Sequence, residues 1–337
     1  MQYDALLVVS FGGPDGPDDV IPFLENVLRG KHVPRERMLE VADHYQHFGG
    51  KSPINEQNLA LIAALEKELA AHGPKLPIYF GNRNWHPLLP DALAQMRADG
   101  VKRALAFFTS AFSSYSGCRQ YRENLAQASA EVGEGAPQID ILRKFYNHPG
   151  FIEPMAEALK ETLTRLPRAE VLFTAHSIPS VMAQHCNYES QLAEACRLVA
   201  EQAGVSRWEL VYQSRSGPPQ QPWLEPDICD RIEERCEQGL EQLAIVPIGF
   251  ISDHLEVLYD LDTEAVELCH EKGVAVERVP TVGVHPKFVS MIAELIRERM
   301  DGGVPKRCLG SQGPSHDVCP TDCCLYPATR PTRAAVN

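Results

Sequence analysis

The sequence predicts an α/β protein of two successive halves, each a parallel sheet covered by helices, with a cysteine-rich tail. Three observations carry this. Short apolar runs alternate with helix-spaced segments along the chain to about residue 300. The order of elements in residues 1–149 recurs in residues 150–300, although the two stretches share no short sequence repeat. From residue 301 to 337 the periodicity stops, and Gly, Pro, Ser and Cys become frequent. The length of 337 residues exceeds one ordinary α/β domain and suits two of roughly 150.

Residues 3–10 (YDALLVVS) form a largely apolar run that breaks at Phe11-Gly12-Gly13-Pro14. A buried parallel strand ends in this way. Helical spacing follows over 58–71, then a short strand at 77–81 (PIYFG) and a helix at 90–99. Residues 104–110 (ALAFFTS) read as another buried strand, 121–132 as a helix and 138–142 as a short strand. In the second half a helix is expected over 150–165. Strands are expected at 170–175 (EVLFTA), 208–214 (WELVYQS), 243–250 (LAIVPIGF) and 274–279. Helices separate these strands, and one closes the half over 287–300. The boundary falls at Asn147-His148-Pro149-Gly150. Within the tail, residues 330–337 are expected to stay loose.

Apolar residues make up 44% and charged residues 23%, the composition of a globular protein. No run reaches the roughly 18 apolar residues of a membrane span. The first 14 residues lack a basic leader region and read as a strand, so a cytoplasmic protein is expected. The net charge of −13 argues against a nucleic-acid partner, which would need clustered Lys and Arg.

Ligands of open parallel sheets sit beyond the C-terminal strand ends. His176 directly follows EVLFTA, the turn 213–219 (QSRSGPP) follows its own strand, and 252–256 (SDHLE) follows LAIVPIGF. An imidazole at 176 and a carboxylate at 256 can hold Fe²⁺ or accept protons at neutral pH. The plainer alternative makes His176 a helix cap and Glu256 an acid in a first helical turn. With a helix starting near His254, Glu256, Asp260 and Glu264 share one face, and facing a cleft they would hold or pass a divalent cation. No GxGxxG fingerprint and no P-loop occurs, against a dehydrogenase or kinase.

Six of the ten cysteines are scattered: Cys118, Cys186, Cys196, Cys229, Cys236 and Cys269. Cys308, Cys319, Cys323 and Cys324 crowd the tail. In a reducing compartment such crowding reads first as a metal site. Four thiolates would suit a 2Fe–2S cluster. A structural zinc on the same thiolates, or no metal, are the alternatives.

Six ordered motifs together resemble the ferrochelatases: SFGGP (10–14), HYQHFGGKSPIN (44–55), YFGNRNW (79–85), FTAHSIP (173–179), QSRSGPPQQPWLEPD (213–227) and PIGFISDHLEVLYDLD (247–262). The likeness runs from residue 3 to about 299 and is nearest to the actinobacterial coproporphyrin ferrochelatases. It implies a type II chelatase fold, two Rossmann-like domains (1–149 and 150–300) with a porphyrin in the cleft between them. It implies insertion of substrate Fe²⁺ into coproporphyrin III by a monomer. A protoporphyrin IX ferrochelatase, a cobalt chelatase and a non-catalytic haem or iron sensor on the same fold are the rivals.

The resemblance assigns His176 and Glu256 to the metal site, on opposite sides of the macrocycle pocket, with Asp260 and Glu264 continuing an acidic path. It carries porphyrin contacts to Ser52 and Tyr121, and makes Arg29 a propionate partner by position. Firmicute relatives place a Tyr at the position of Phe11. Phenylalanine offers iron no ligand, so Phe11 is expected to pack on the ring. The family's cluster would rest on Cys118 (in SGCRQY), Cys308, Cys319 and Cys324, with Cys323 the rival of Cys324, and would pin the tail to the first half. The remaining cysteines read as packing residues.

Overall fold

A computed structural model describes residues 2–30, 33–218 and 220–326. Strands β1 (Ala5–Ser10), β2 (Ile78–Asn82), β3 (Arg103–Phe108) and β4 (Gln138–Ile141) form one parallel sheet in the order β2-β1-β3-β4. Strands β5 (Glu170–His176), β6 (Trp208–Gln213), β7 (Gln242–Val246) and β8 (Ala275–Arg278) form a second in the order β6-β5-β7-β8. Numbered from its own first strand, each half has the same order. The repeat sensed in the sequence is therefore a repeat of topology.

Burial explains the strand signals. All six residues of β1 are buried, and helices cover both faces, so no polar alternation interrupts the run. Strand β7 stops at Val246, four residues short of the expected end. Pro247 has no N–H for a ladder, and the Ile248 N–H turns back to the Val246 carbonyl at 2.8 Å. Gly249 then lies against β5, where a Cβ would stand 2.7 Å from the Ala175 Cα. Two helices, Val20–Val27 and Arg35–His47, form where none was expected. They pack on a small core of Val20, Phe23, Leu24, Met38 and Ala42.

The halves share one core. Its largest buried cluster joins Val8 and Phe107 of the first sheet to Phe173 and Val246 of the second. Phe145, Phe151 and Phe288 fill the junction, with ring centroids 5.7–6.3 Å apart. Across it, the Arg143 guanidinium donates to both Glu298 carboxylate oxygens at 2.7 and 3.0 Å. Among the described residues no helix is long and apolar enough to cross a membrane.

The described part of the tail, to residue 326, has no helix or strand. Hydrogen bonds tie it to both halves, not to the first alone. The Leu309 N–H donates to the Asn147 carbonyl (2.8 Å), the Arg119 guanidinium to the Thr321 carbonyl (2.7 Å) and Gln221 to the Tyr326 hydroxyl (3.1 Å). The loose end expected at 330–337 lies outside the described residues.

Candidate functional site

His176 is the last residue of β5, in register with Gln213 at the end of β6. Its Nδ1 meets the Ser177 carbonyl, which only accepts, so Nδ1 carries the proton. The lone pair is left on Nε2, which lies 3.8 Å from a Glu256 carboxylate oxygen. Both side chains keep partial solvent exposure, 33% and 44%. An imidazole fixed by a carbonyl on one nitrogen and open on the other is the form that takes a proton or a metal.

This placement corrects one expectation. His176 and Glu256 do not face each other across a macrocycle-sized gap. They stand side by side on the second half: β5 ends in His176, and the loop after its ladder neighbour β7 brings Glu256, ten residues past Val246, beside it.

Glu256 opens a π-helical stretch, Val257–Ala265. Wide turns of this kind are rare and concentrate at functional sites. Val257, Leu261 and Ala265 are its buried row, and Glu256, Asp260 and Glu264 each precede one of them. Packing of the apolar row therefore aligns the acids beside it. Burial pushes the Asp260 carboxyl up to about 7, the nearby Glu256 and Glu264 charges add to this, and the Ser214 hydroxyl and His176 oppose it. Burial also raises Glu264, with Asp227 adding to it.

Sequence reasoning missed Gln213 and Ser214 as parts of this site. The Gln213 amide donates to the Glu256 carbonyl at 3.1 Å and to Asp260 at 3.3 Å, while its backbone carbonyl accepts from the Ser177 N–H at 2.8 Å. Ser214 adopts φ +62°, uncommon for a residue with a Cβ, and its hydroxyl bonds Asp260. The QSRSGPP turn was visible as a rigid turn, but not what its first two side chains grip.

The first half sets aromatic groups near the pair. Burial raises the Tyr45 hydroxyl, and the Glu256 charge adds to this. His44 stacks on Tyr259 with ring centroids 3.8 Å apart, and Gln57 exchanges two hydrogen bonds with the Asp253 backbone at 3.0 and 2.8 Å. Phe11 is half-buried, edge-on to Phe23 at 6.2 Å.

The residues expected to contact the porphyrin differ in exposure. Ser52 and Tyr121 are buried, at 3% and 5% exposure, whereas Arg29 is exposed and bonds Asn26. A cation that sequence reasoning passed over lies between two of the candidates. The Arg83 guanidinium carbon sits 4.4 Å from the Tyr121 ring centroid and 5.6 Å from that of Phe11. Its signal was the single Arg within YFGNRNW.

A second cluster gathers at the tail. Cys118 shares side-chain hydrogen bonds with Cys319 and Cys324, which hold its thiol well below the ordinary value. The Cys323 and Cys324 sulfurs are 3.5 Å apart. His316, Cys319 and Cys323 bring ligand atoms within 4.8 Å of one another. A cavity of about 500 Å³ opens beside Cys118, Cys319 and Cys323. Cys308 is half-buried and takes part in none of these thiol contacts. The arrangement thus brings Cys323 to the group where Cys308 was expected. Its soft sulfur donors suit zinc or an iron–sulfur centre.

The comparisons with known proteins follow this geometry. Residues 3–300 match the protein-family model described as Ferrochelatase. A protein of Rhodopirellula baltica named ferrochelatase is 62% identical over 98% of this chain and 95% of its own length. The coproporphyrin III ferrochelatase of Streptomyces coelicolor is 50% identical over 99% of this chain and 96% of its own. Among solved structures, SirB from Bacillus subtilis with Fe³⁺ covers 90% of this chain and 99% of its own, with a TM-score of 0.55 and 12% identity. That likeness shows a shared chelatase fold and nothing finer. A family match spanning all eight strands, with relatives half or more identical along nearly the whole length, makes this chain a member of the ferrochelatase family.

Proposed function

We propose that this chain inserts Fe²⁺ into coproporphyrin III, with His176, Glu256, Asp260 and Glu264 as the groups that handle iron and protons. One observation carries the reading: an imidazole Nε2 at a strand end and a carboxylate at a helix start lie 3.8 Å apart, in a chain of this family. The full-length likeness to coproporphyrin III ferrochelatases supports the choice of ring.

Insertion exchanges two pyrrole N–H protons for one Fe²⁺, so the site must accept two protons per turnover. His176 takes one on Nε2, its Nδ1 proton being held by the Ser177 carbonyl. Glu256 stands beside it as acceptor or as counter-charge to the dication. Asp260, pushed up to about 7, exchanges protons with solvent in the physiological range. A flat ring keeps its nitrogen lone pairs in plane, so binding must tilt a pyrrole towards His176, a strain drawn from contacts elsewhere on the ring. Phe11, Ser52, Tyr121 and Arg29 are proposed for those contacts, with Arg83 added. The two halves, 1–149 and 150–300, are proposed as the domains that flank the ring.

The cysteine group is proposed to hold a 2Fe–2S cluster on Cys118, Cys319, Cys323 and Cys324. Such a centre supplies a stable anionic cross-link between the tail and the folded halves. Replacing Cys323 by Ser should abolish its absorbance, and replacing Cys308 by Ser should leave it intact. The reverse result would restore Cys308 to the ligand set. A cytoplasmic location is proposed, and the proposed monomer is tested by sedimentation.

The deciding assay incubates the purified chain with Fe²⁺ or Co²⁺ and either coproporphyrin III or protoporphyrin IX. Collapse of the free coproporphyrin spectrum with Fe²⁺ is expected. Faster reaction with protoporphyrin IX would overturn the choice of ring. No reaction with either ring would leave a binding protein.

A further inference from the structure

Most charges around the cysteine cavity are paired. Arg143 pairs with Glu298 at 2.7 Å, Lys306 with Asp317 at 2.5 Å, and Arg299 reaches Asp140 at 3.7 Å. Two further cations line the same cavity, Lys144 and Arg122. Neither has a carboxylate within ion-pairing distance among the described residues. Lys144 is 8% exposed, and its ammonium donates to the Ser110 and Gly117 carbonyls at 2.8 and 2.7 Å. Those two bonds use two of its three protons, and both carbonyls belong to the loop that presents Cys118. One Arg122 nitrogen, Nη1, is buried with no hydrogen-bond partner at all.

Burying a cation without an anion is costly, so buried charges are found opposite partners. The groups these two face are cysteine sulfurs, which are anionic when they ligate a metal. Lys144 senses Cys118, Cys319 and Cys324, and Arg122 acts on Cys118 and Cys319. A 2Fe–2S centre on four thiolates carries two net negative charges, because its thiolates and sulfides outweigh two ferric ions by two. The cavity leaves two cations unmatched.

We propose that Lys144 and Arg122 are the paired counter-ions of the thiolate centre, positioning residues that hold it in the protein and set its reduction potential. The inference rests on the cluster reading above. Positive charge and N–H donors near the sulfurs favour the reduced, more negative state, so their loss should make the potential more negative. The remaining cations of the cavity, already paired, should matter far less.

The test uses the full chain purified without oxygen, as wild type, Lys144→Met, Lys144→Arg, Arg122→Gln and Lys306→Gln. Iron and sulfide per chain, absorbance, cluster survival against a chelator and midpoint potential are measured on each. Lys144→Met and Arg122→Gln should lose about tenfold or more in survival, the scale of losing a supporting partner of a metal site. Both should shift the potential negative. Lys144→Arg should recover most of the loss, and Lys306→Gln should behave as wild type. Unchanged survival and potential in Lys144→Met and Arg122→Gln overturn the proposal. If Lys144→Met does not fold, Arg122→Gln decides alone, since its Nη1 releases no protein partner. A wild type without iron and sulfide sinks the cluster reading instead. Should that wild type carry zinc, the same survival series with zinc judges the counter-ions, and with no metal bound they fall too.

Discussion

The two halves of the molecule have one topology and opposite chemistry. Strands β1 and β5 occupy the same place in their sheets. Strand β1 leads into Phe11, Gly12 and Gly13, and β5 ends in His176. Around the first end lie mostly neutral or aromatic groups: Asn55 and Asn82 hydrogen-bonded to each other at 3.2 Å, buried Ser52, and the Phe11, Phe23 and Tyr45 rings, with Arg83 and Asp15 as the charges beside them. Around the second end lie His176, Glu256, Asp260 and the Gln213 amide that grips two of them. A repeated scaffold fixes where side chains arrive and leaves open what they are. One half can then supply shape while the other supplies acid–base and metal chemistry.

That division is broken most directly at His176. His176→Ala should lower turnover at least about 10²-fold and as much as 10⁴-fold, the range for an acid–base group. Glu256→Gln should match the lower figure. The check is the initial rate of coproporphyrin loss with Fe²⁺, at saturating concentrations of both substrates. Near-normal turnover in both variants would falsify the assignment of chemistry to the second half.

The next effect concerns the shared core, which keeps the halves in register. Arg143 and Glu298 are 1% and 3% exposed and join the end of the first half to the closing helix of the second. Glu298→Ala strands a buried guanidinium and should cost about 3–5 kcal/mol of stability. Arg143→Met with Glu298→Leu should recover much of it, since paired removal leaves no orphaned charge. Urea midpoints measure both. If Glu298→Ala alone lowered stability by less than about 1 kcal/mol, the junction would not depend on this pair.

Asp260 tests the second half from the stability side. Its carboxyl moves from an ordinary 3.8 to about 7 on folding. Between those values the folded protein holds the proton more tightly than the unfolded chain. Stability from this group is therefore greatest near pH 4, falls as pH rises, and levels off above about 7. Asp260→Asn keeps an acceptor for Ser214 and does not titrate. Relative to wild type it should gain about 1–2 kcal/mol at pH 8 and little at pH 5, a discounted part of the full shift. An equal gain at both pH values would mean that burial does not hold the proton on. Turnover should fall in the same variant, as expected where a functional charge is kept at a cost in stability.

How much of this was legible in the sequence depended on burial. Strands such as β1 and β3 announced themselves because both faces are covered, so every residue is apolar. Arg35–His47 buries only Met38 and Ala42, too few positions to stand out among its charges, and Val20–Val27 is two turns long with Pro22 inside it, too short to show a helical period. His176 and Glu256 could each be placed at a strand end. Their mutual distance could not, because it depends on which strands are ladder neighbours. The Gln213 grip depends on register in the same way, and local spacing carries no trace of it. Among the cysteines, the family resemblance suggested Cys308, while the path of the tail past Asn147 brings Cys323 beside Cys319 and Cys324.

Phe11 offers the smallest effect and the finest test of the comparison. It stands one residue past β1, where β5 carries its histidine at the strand end, and its ring packs on Phe23 with the Arg83 guanidinium 5.6 Å away. A phenyl ring accepts no proton and binds no iron, so on the proposed reading its contribution is contact with the macrocycle. Phe11→Ala should then raise the KM for the porphyrin severalfold, up to about tenfold for one lost aromatic contact of about 1 kcal/mol. Turnover at saturation should stay within about threefold, since the lost contact is made equally before and during insertion. Steady-state rates over a range of coproporphyrin concentrations separate the two constants. A fall in saturated turnover comparable to that of His176→Ala, with KM unchanged, would mean that the first half takes part in the chemical step. The two sheet ends would then have to be treated as one catalytic surface, not as a wall and a working face.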